Sequence, residues 1–138
     1  MSQKTDFTRF YDWGYKDFTS DIPLYLDLAK QYGSPILEIA CGTGRVMLPL
    51  ARAGFEIVGL DISEPMLHRA RAKWESEPKE TRGRMSFVQG NMRDFQLGRT
   101  FSAVLVPNAS LFNLLNPEDL DQCIACLFNH TKPGGIAV

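Results

Sequence analysis

Apolar and polar positions follow two different periods along this chain, and the change of period marks its first elements. Residues 24–32 place apolar side chains at helical spacing, and Asp21 before them predicts a helix N-cap. Residues 36–39 form a short apolar run around Glu38, which is typical of a buried strand, and a glycine-containing loop follows at residues 40–44. A helix followed by a strand is therefore predicted for this part of the chain.

The alternation of helices and strands continues to the last residue. A second helix is predicted after the loop, and it ends at Gly54. Proline is tolerated only in the first turns of a helix, so Pro49 implies that this helix begins close to Gly44. The remaining predicted elements are strands at residues 55–60, 85–89, 101–106 and 136–138, helices after Ser63 and Asn116, a charged loop at 73–84 and a turn at 132–135. This order predicts an α/β fold with a mostly parallel sheet.

The composition is that of an ordinary globular protein. With 138 residues, 44% of them hydrophobic, the chain supports one domain with its own core. Fifteen basic and 16 acidic side chains give a net charge of -1, which excludes a domain-wide positive field for nucleic acid or a membrane surface. The three cysteines are an odd number, and the N-terminus lacks the apolar stretch of a signal peptide. We therefore expect a cytoplasmic protein with neither a nucleic-acid nor a membrane partner.

Glycine and polar residues cluster where the predicted strands end. Right-handed crossovers bring the carboxyl ends of parallel strands to one edge of the sheet, where ligands bind in such folds. Gly42 and Gly44 remove side chains where a ligand would approach the backbone. Asp61 follows Gly44 by 17 residues and ends the second strand, where a carboxylate can accept both hydroxyls of a ribose. Together these features predict a nucleoside-containing ligand.

Two further positions distinguish between nucleoside ligands. A dinucleotide fingerprint needs a third small residue three positions after the second glycine, and this chain has Met47 there. Glu38, at the base of the loop, would repel a pyrophosphate but would favour a cation. S-adenosylmethionine carries an ammonium and a sulfonium besides its ribose and adenine, so it suits both Glu38 and Asp61.

Five segments resemble, in order, the motifs of class I S-adenosylmethionine-dependent methyltransferases. ILEIACGTGRV (36–46) is similar to the family's first motif, an acidic residue followed by glycines at alternate positions. GLDIS (59–63) resembles its ribose-binding segment, and FVQGNMRDF (87–95) its adenine-binding segment. FSAVLVPNAS (101–110) and KPGG (132–135) resemble its fourth strand and the turn into its fifth. The resemblance implies a Rossmann-like, doubly wound sheet with helices on both faces.

The resemblance also implies which residues contact the cofactor. Glu38 would orient the methionine end, and Asp61 would hold the ribose diol. Asn91 would accept from the exocyclic amine of adenine, while the backbone N–H of Met92 donates to the ring. The implied cofactor-binding residues of the core are Glu38, Ala40, Cys41, Gly42, Gly44, Asp61, Ile62, Met66, Asn91, Met92, Pro107 and Asn108.

Residues 1–20 are expected to form a separate, aromatic-rich segment ahead of the core at residues 21–138. One interpretation is a lid over the cofactor, with Tyr11 or Tyr15 touching the cofactor carboxylate and an aromatic ring near the sulfonium. Plain packing of an N-terminal segment is the other interpretation. The sequence leaves both open.

The chain departs from the family pattern at three places. Ala40 replaces the first glycine, which is acceptable if this residue does not need a positive φ. Asn91 stands where the family often has aspartate, so the acceptor for adenine is uncharged and weaker. The chain ends inside the fifth strand, which predicts a truncated core whose exposed last strand invites a homodimer or strand exchange.

A C-x-x-C pair on the last helix is the main competing signal. Cys123 and Cys126, with His130 four residues later, have a spacing that zinc or redox sites use. Cys123 lies on the apolar face of its helix, however, and no second cysteine pair completes four ligands. Core packing is the better account, and no metal site is predicted. No residue is identified as catalytic, because no paired carboxylates or base stand out. This is compatible with methyl transfer, since an activated sulfonium needs chiefly a well-positioned acceptor.

The sequence thus predicts an enzyme that transfers a methyl group from S-adenosylmethionine to an unidentified, small-molecule acceptor. A non-catalytic fragment that only binds the cofactor is the first alternative, because the sheet is incomplete. A nicotinamide-dependent oxidoreductase is the second, and Glu38 and Met47 both oppose it.

Overall fold

The computed structural model describes residues 12–14, 19–107, 110, 114 and 116–138. Residues 12–14 are helical, and the core that follows alternates helices with strands. Its helices are α1 (Ile22–Tyr32), α2 (Met47–Arg52), α3 (Glu64–Glu75), α4 (Lys79–Arg82) and α5 (Pro117–His130). Its strands are β1 (Ile36–Ile39), β2 (Ile57–Asp61), β3 (Met85–Gln89), β4 (Phe101–Leu105) and β5 (Thr131–Ala137).

The five strands pair in parallel in the order β3-β2-β1-β4-β5. β1 is central and fully buried: Glu38 pairs with Gly59 of β2 on one side and with Leu105 of β4 on the other. The strand order reverses at β1, so the carboxyl end of β1 is the switch point at which open α/β sheets bind ligands.

A hydrophobic cluster lies on each face of the sheet. One joins α1 and α2 to the face of β1 that carries Ile36. The other joins Cys123 and Leu127 of α5 to the opposite face, which carries Leu37 and Ile39. Helices therefore cover both faces, and the predicted doubly wound α/β fold is confirmed.

Asp21 occupies the N-cap position of α1, but its side chain does not cap the helix. Its backbone is helical (φ -86, ψ -19), and no cap hydrogen bond forms. The carboxylate instead accepts two hydrogen bonds from the guanidinium of Arg45, at 2.7 and 2.8 Å. The predicted position was correct, and the predicted role was wrong.

Several element boundaries differ from the prediction. α2 begins at Met47 rather than close to Gly44, which still leaves Pro49 in the first turn, where no N–H donor is needed. The short helix α4 lies inside the predicted charged loop. β5 begins at Thr131, directly after α5, rather than after a turn at residues 132–135.

The turn predicted at residues 132–135 is observed as an irregular segment within β5. Thr131 pairs with Phe101 and Ile136 with Ala103, so five steps along β5 oppose two along β4. Gly134, at φ 80, takes up the excess length with a conformation that glycine adopts readily. Among the described residues, no helix is both long and apolar enough to cross a membrane.

Candidate functional site

A cleft of about 1120 Å³ opens at the carboxyl ends of the strands. It includes the ends of β1 and β2, the loop after each, the loop after β3 and the start of α5. Its walls are formed by Glu38, Ala40, Cys41, Gly42, Arg45, Val46, Leu60, Asp61, Ile62, Ser63, Glu64, Pro65, Met66, Gln89, Gly90, Asn91, Met92, Arg93, Pro107, Ser110, Leu114 and Asp119. Most of the predicted site residues therefore share one cavity.

Four of the predicted residues are not placed in this cavity. Gly44 lies in the loop after β1 but does not line the cleft. Tyr11, Tyr15 and Asn108 lie outside the described residues. Their expected contacts with the cofactor stay predictions.

The loop after β1 has a left-handed backbone at every second residue. Ala40, Gly42 and Gly44 have φ values of 53, 57 and 89. A side chain at such a φ costs roughly 1–2 kcal/mol, so the condition under which Ala40 would be harmless does not hold. The replacement of glycine by Ala40 is tolerated at a cost in backbone strain.

Asp61 ties this loop to the end of β2. Its Oδ2 accepts from the backbone N–H of Gly42 at 2.8 Å, and its Oδ1 accepts from the N–H of Ser63 at 2.8 Å. A carboxylate has about four acceptor positions, so each oxygen keeps capacity for a further donor. The carboxylate can thus hold the loop and accept a diol at the same time.

Glu38 is a buried carboxylate on the wall of the cleft. The residue is 2% exposed, and its Oε1 has no hydrogen-bond partner among the described residues. Burial raises the pKa of Glu38 well above its ordinary value, against the opposing effect of the Arg45 guanidinium. An unpartnered buried oxygen is costly, and a cationic ligand in the cleft would remove that cost.

Asn91 lies on the wall of the cleft but already has local partners. Its Oδ1 accepts from the backbone N–H of Arg93 at 3.0 Å and from Arg93 Nε at 3.4 Å. Arg93 Nη1 also donates to Asp119 at the start of α5, at 2.6 Å. The expected acceptor for the adenine amine is therefore part of a hydrogen-bond chain along the wall of the cleft, from Asn91 through Arg93 to Asp119.

The apolar part of the cleft lies at the start of α3. Ser63 caps this helix by accepting from the N–H of Met66 at 3.3 Å. Ile62 is 65% exposed although it is apolar, and Met66 is 8% exposed. An exposed isoleucine on the wall of the cleft suits packing against a flat ring such as adenine.

Sequence reasoning missed the charged residues that frame the cleft. Arg45 directly follows the glycine loop and pairs with Asp21, and Arg93 pairs with Asp119 across 26 positions. The position of Arg45 within the first motif could have indicated that its side chain lies at the cleft. The sequence around Arg45 and Arg93 did not indicate that Asp21 and Asp119 are their partners, because ion pairs between distant segments follow no sequence period.

The C-x-x-C segment belongs to the core. Cys123 is fully buried in the cluster beneath α5, and Cys126 Sγ lies 3.4 Å from the carbonyl oxygen of Arg93. His130 Nδ1 lies 2.7 Å from the carbonyl oxygen of Cys126, and its Nε2 accepts from the N–H of Leu97 at 3.2 Å. The ring thus links α5 to the loop before β4.

The family of the chain follows from a match over most of its length. The sequence profile of a family described as a methyltransferase domain matches residues 36–135. The chain belongs to this family. The match begins at β1 and includes β1 to β4, the first five residues of β5, the glycine loop and Asp61.

Relatives and solved structures point to the same class of enzyme. The chain is 34% identical, over 98% of its length, to the dTDP-3-amino-3,4,6-trideoxy-alpha-D-glucopyranose N,N-dimethyltransferase of Streptomyces venezuelae. It is 35% identical, over 75% of its length, to the dTDP-3-amino-3,6-dideoxy-alpha-D-glucopyranose N,N-dimethyltransferase of Streptomyces fradiae. The glycopeptide N-methyltransferase MtfA, solved with S-adenosyl-L-methionine, aligns with 86% of the chain at 30% identity and a TM-score of 0.75.

The chain is shorter than the proteins that it matches. It spans 56% of the Streptomyces venezuelae relative, 37% of the Streptomyces fradiae relative and 53% of the MtfA chain. The predicted family, fold and S-adenosylmethionine cofactor are nevertheless confirmed by these matches. The nicotinamide-dependent alternative gains no support from them.

Proposed function

We propose that the cleft binds S-adenosylmethionine through Asp61 and Glu38, and that the protein transfers the methyl group to an amino nitrogen of a small molecule. The observation that carries this proposal is the placement of two carboxylates, Glu38 of β1 and Asp61 at the end of β2, in one cleft that the glycine loop also lines. Asp61 keeps acceptor capacity for ribose hydroxyls, and Glu38 offers a buried oxygen to the ammonium.

The other cofactor contacts follow from this placement. Ile62 and Met66 would pack on the adenine, and the N–H of Met92 would donate to its ring. Asn91 Oδ1 would accept a hydrogen bond from the exocyclic amine of adenine. This oxygen already accepts from Arg93 and carries no charge, so the bond would be weaker than one to an aspartate. Ala40, Cys41 and the two glycines would lie against the methionine portion.

In a methyl transfer from S-adenosylmethionine, the main task of the protein side chains would be to position the donor and the acceptor. When bound, S-adenosylmethionine would supply an activated methyl group, and the cleft would position an acceptor amine in line with the carbon–sulfur bond. The residues of the cleft would hold the donor and exclude water, and the amine nitrogen loses its proton after transfer. Pro107 and the residues after β4 would border the methyl group.

The relatives favour an amino sugar as the acceptor. Two of them act, by name, on dTDP-linked 3-amino sugars, and MtfA is named as a glycopeptide N-methyltransferase. All three names describe methylation of nitrogen. We therefore infer a nitrogen acceptor on a sugar or a sugar-bearing molecule.

Cofactor binding is tested by isothermal titration with S-adenosylhomocysteine, with NAD as the comparison ligand. Asp61→Ala and Glu38→Ala should each weaken binding by about 1–3 kcal/mol, because each removes a charge-assisted contact. Glu56→Gln, which removes an exposed ion pair with Arg99 at the start of β2, is the matched control and should leave the affinity unchanged. Wild-type affinity in both cleft variants would overturn the assignment of the site.

The acceptor is tested by incubating the protein with labelled S-adenosylmethionine and a dTDP-linked 3-amino sugar. The same sugar with a 3-hydroxyl group is the control. Transfer to the amine alone supports the proposal, and equal transfer to the hydroxyl sugar contradicts it. Cofactor binding without any transfer would instead support the cofactor-binding fragment.

Three further expectations stay predictions: a lid formed by residues 1–20, a cytoplasmic location, and a homodimer or strand exchange through β5. Light scattering of the purified chain tests the homodimer, since a monomer at micromolar concentration would exclude it.

A further inference from the structure

A cluster of charged side chains holds the glycine loop from outside the cleft. Thr43 lies between Gly42 and Gly44 but does not line the cavity, and its hydroxyl donates to Oδ1 of Asp12. Lys73 Nζ donates to the same oxygen at 3.0 Å and to Thr43 Oγ1 at 3.1 Å. Arg69 Nε donates to Oδ2 of Asp12 at 2.7 Å. The segment of residues 12–14 is thereby joined to the loop and to α3.

This cluster differs from an ordinary surface ion pair. Thr43 is 1% exposed, and its hydroxyl is satisfied both as a donor and as an acceptor. Burial raises the pKa of Asp12, but hydrogen bonds from Thr43, Arg69 and Lys73 outweigh it and lower that pKa overall. Charge-assisted bonds to a buried hydroxyl fix geometry more firmly than an exposed pair does.

The loop needs such restraints because its backbone offers few of its own. The described backbone bonds at its start and end are Cys41 N–H to the Leu60 carbonyl and Gly44 N–H to the Cys41 carbonyl, each 3.1 Å long. Gly42 instead depends on Asp61, and Thr43 depends on Asp12. Two carboxylates, Asp61 in the cleft and Asp12 outside it, therefore fix two consecutive residues of a strained loop.

We propose that Asp12 is a positioning residue for cofactor binding, acting through the hydroxyl of Thr43. The inference rests on the proposed cofactor site. Asp12 does not touch the cleft, but it holds the loop in the shape in which Gly42 and its neighbours meet the ligand. The N-terminal segment is then part of the cofactor site, and changes in it alter affinity without altering any contact with the ligand.

The test is a double-mutant cycle read out by titration with S-adenosylhomocysteine. Asp12→Asn and Thr43→Val should each weaken binding about tenfold, because the first removes the charge of the acceptor and the second removes the hydroxyl that donates to it. The double variant should bind little more weakly than either single variant, since the second change has no charge-assisted bond left to remove. Thr43→Ser keeps the hydroxyl and should stay within about twofold of the wild type.

Two controls separate this role from general stability. The melting temperature of each variant is measured beside its affinity, and Glu56→Gln removes an ion pair at the opposite end of the sheet. If Asp12→Asn does not fold, Thr43→Val and Thr43→Ser carry the comparison. Equal affinity of these two variants contradicts the proposal.

The outcomes distinguish the inference from the function on which it rests. A folded wild type that does not bind S-adenosylhomocysteine overturns the proposed cofactor site itself. A wild type that binds, with unchanged affinity in Asp12→Asn and Thr43→Val, overturns only the role of Asp12. Losses of affinity that simply add in the double variant would show that the two residues act separately, which also contradicts the proposal.

Discussion

Ala40 adopts a backbone conformation that glycine adopts more readily. Its φ of 53 places it in the left-handed region, at the point where β1 ends and the loop begins. Replacement by glycine removes the steric conflict of the side chain but increases the freedom of the unfolded chain. The first effect is the larger at such a φ, so relief of strain should dominate.

We expect Ala40→Gly to raise the free energy of unfolding by about 0.5–1 kcal/mol. Urea denaturation with a constant m-value measures the change. The control is Ala53→Gly at φ -76, where glycine has no steric advantage and should cost about 0.5–1 kcal/mol. Destabilisation by both changes would show that Ala40 is not strained.

Glu38 should make the stability of the unliganded protein fall as the pH rises. Burial holds its pKa in the folded protein well above the ordinary value of 4.5, to which it returns on unfolding. Below that value the carboxyl is protonated in both states. As the pH rises towards the folded-state pKa, ionisation favours the unfolded chain by up to about 1.4 kcal/mol per pH unit.

The measurement compares thermal unfolding of the wild type and Glu38→Gln across a pH series that starts below 4.5. The glutamine cannot ionise, so the variant should gain stability relative to the wild type as the pH rises. Parallel pH profiles would contradict this prediction and show that Glu38 has a compensating partner.

At the scale of elements, the sequence predicted the strands better than the helix ends. β1, β3 and β4 were predicted to within a residue because short apolar runs between loop signals leave few alternatives. The role of Asp21 was wrong because capping competes with tertiary partners, and here Arg45 takes the carboxylate. The start of β5 was wrong because KPGG is a turn sequence that the sheet accommodates as an irregularity.

α5 begins directly after Asn116, as predicted, and the Asn116 side chain caps it. Asn116 Oδ1 accepts from the N–H of Asp119 at 2.9 Å, and the side chain of Asp119 pairs with Arg93. Asn116→Ala should lower the free energy of unfolding by about 1 kcal/mol, measured by urea denaturation, because it leaves that N–H without its acceptor. Asn116→Ser keeps an acceptor and should lose only a few tenths of that amount.

At the scale of the whole molecule, the contact between Met47 and Gly59 explains how α2 packs closely on the sheet although Met47 is large. Met47 is fully buried against β2 at Gly59. A dinucleotide-binding helix achieves this approach with a small residue of its own. Here the small residue is on the strand. The sequence shows that Met47 is large. That Met47 packs against Gly59 could not be predicted, because this contact depends on how α2 packs on the sheet.

Gly59→Ala should therefore destabilise the protein by about 1–3 kcal/mol, through overpacking between the sheet and α2. The added carbon would overlap the Met47 side chain and lie 2.8 Å from Cys41 Sγ. Calorimetric unfolding measures the loss. Gly83→Ala, where the nearest atom would be at 3.5 Å, is the matched control and should change stability little. Equal effects of the two substitutions would contradict this account.

Much of the candidate site was predictable because of topology. Parallel strands place their carboxyl ends together, so residues found one strand at a time (Glu38, Asp61 and Asn91) meet in one cleft. The contacts of Asp12 with α3 and of Arg93 with α5 were not predictable. They join segments 57 and 26 positions apart, and only the folded chain brings these segments together.

The position of β1 in the centre of the sheet has a consequence for amide hydrogen exchange. Its residues are all buried between β2 and β4, so their amides exchange with solvent only when the whole domain unfolds. The amide of Gly42, three residues after β1, is held by the side chain of Asp61 instead. Such an amide exchanges through a local fluctuation of the loop. The boundary between global and local opening therefore lies at the end of β1, so the loop can fluctuate while the sheet stays intact.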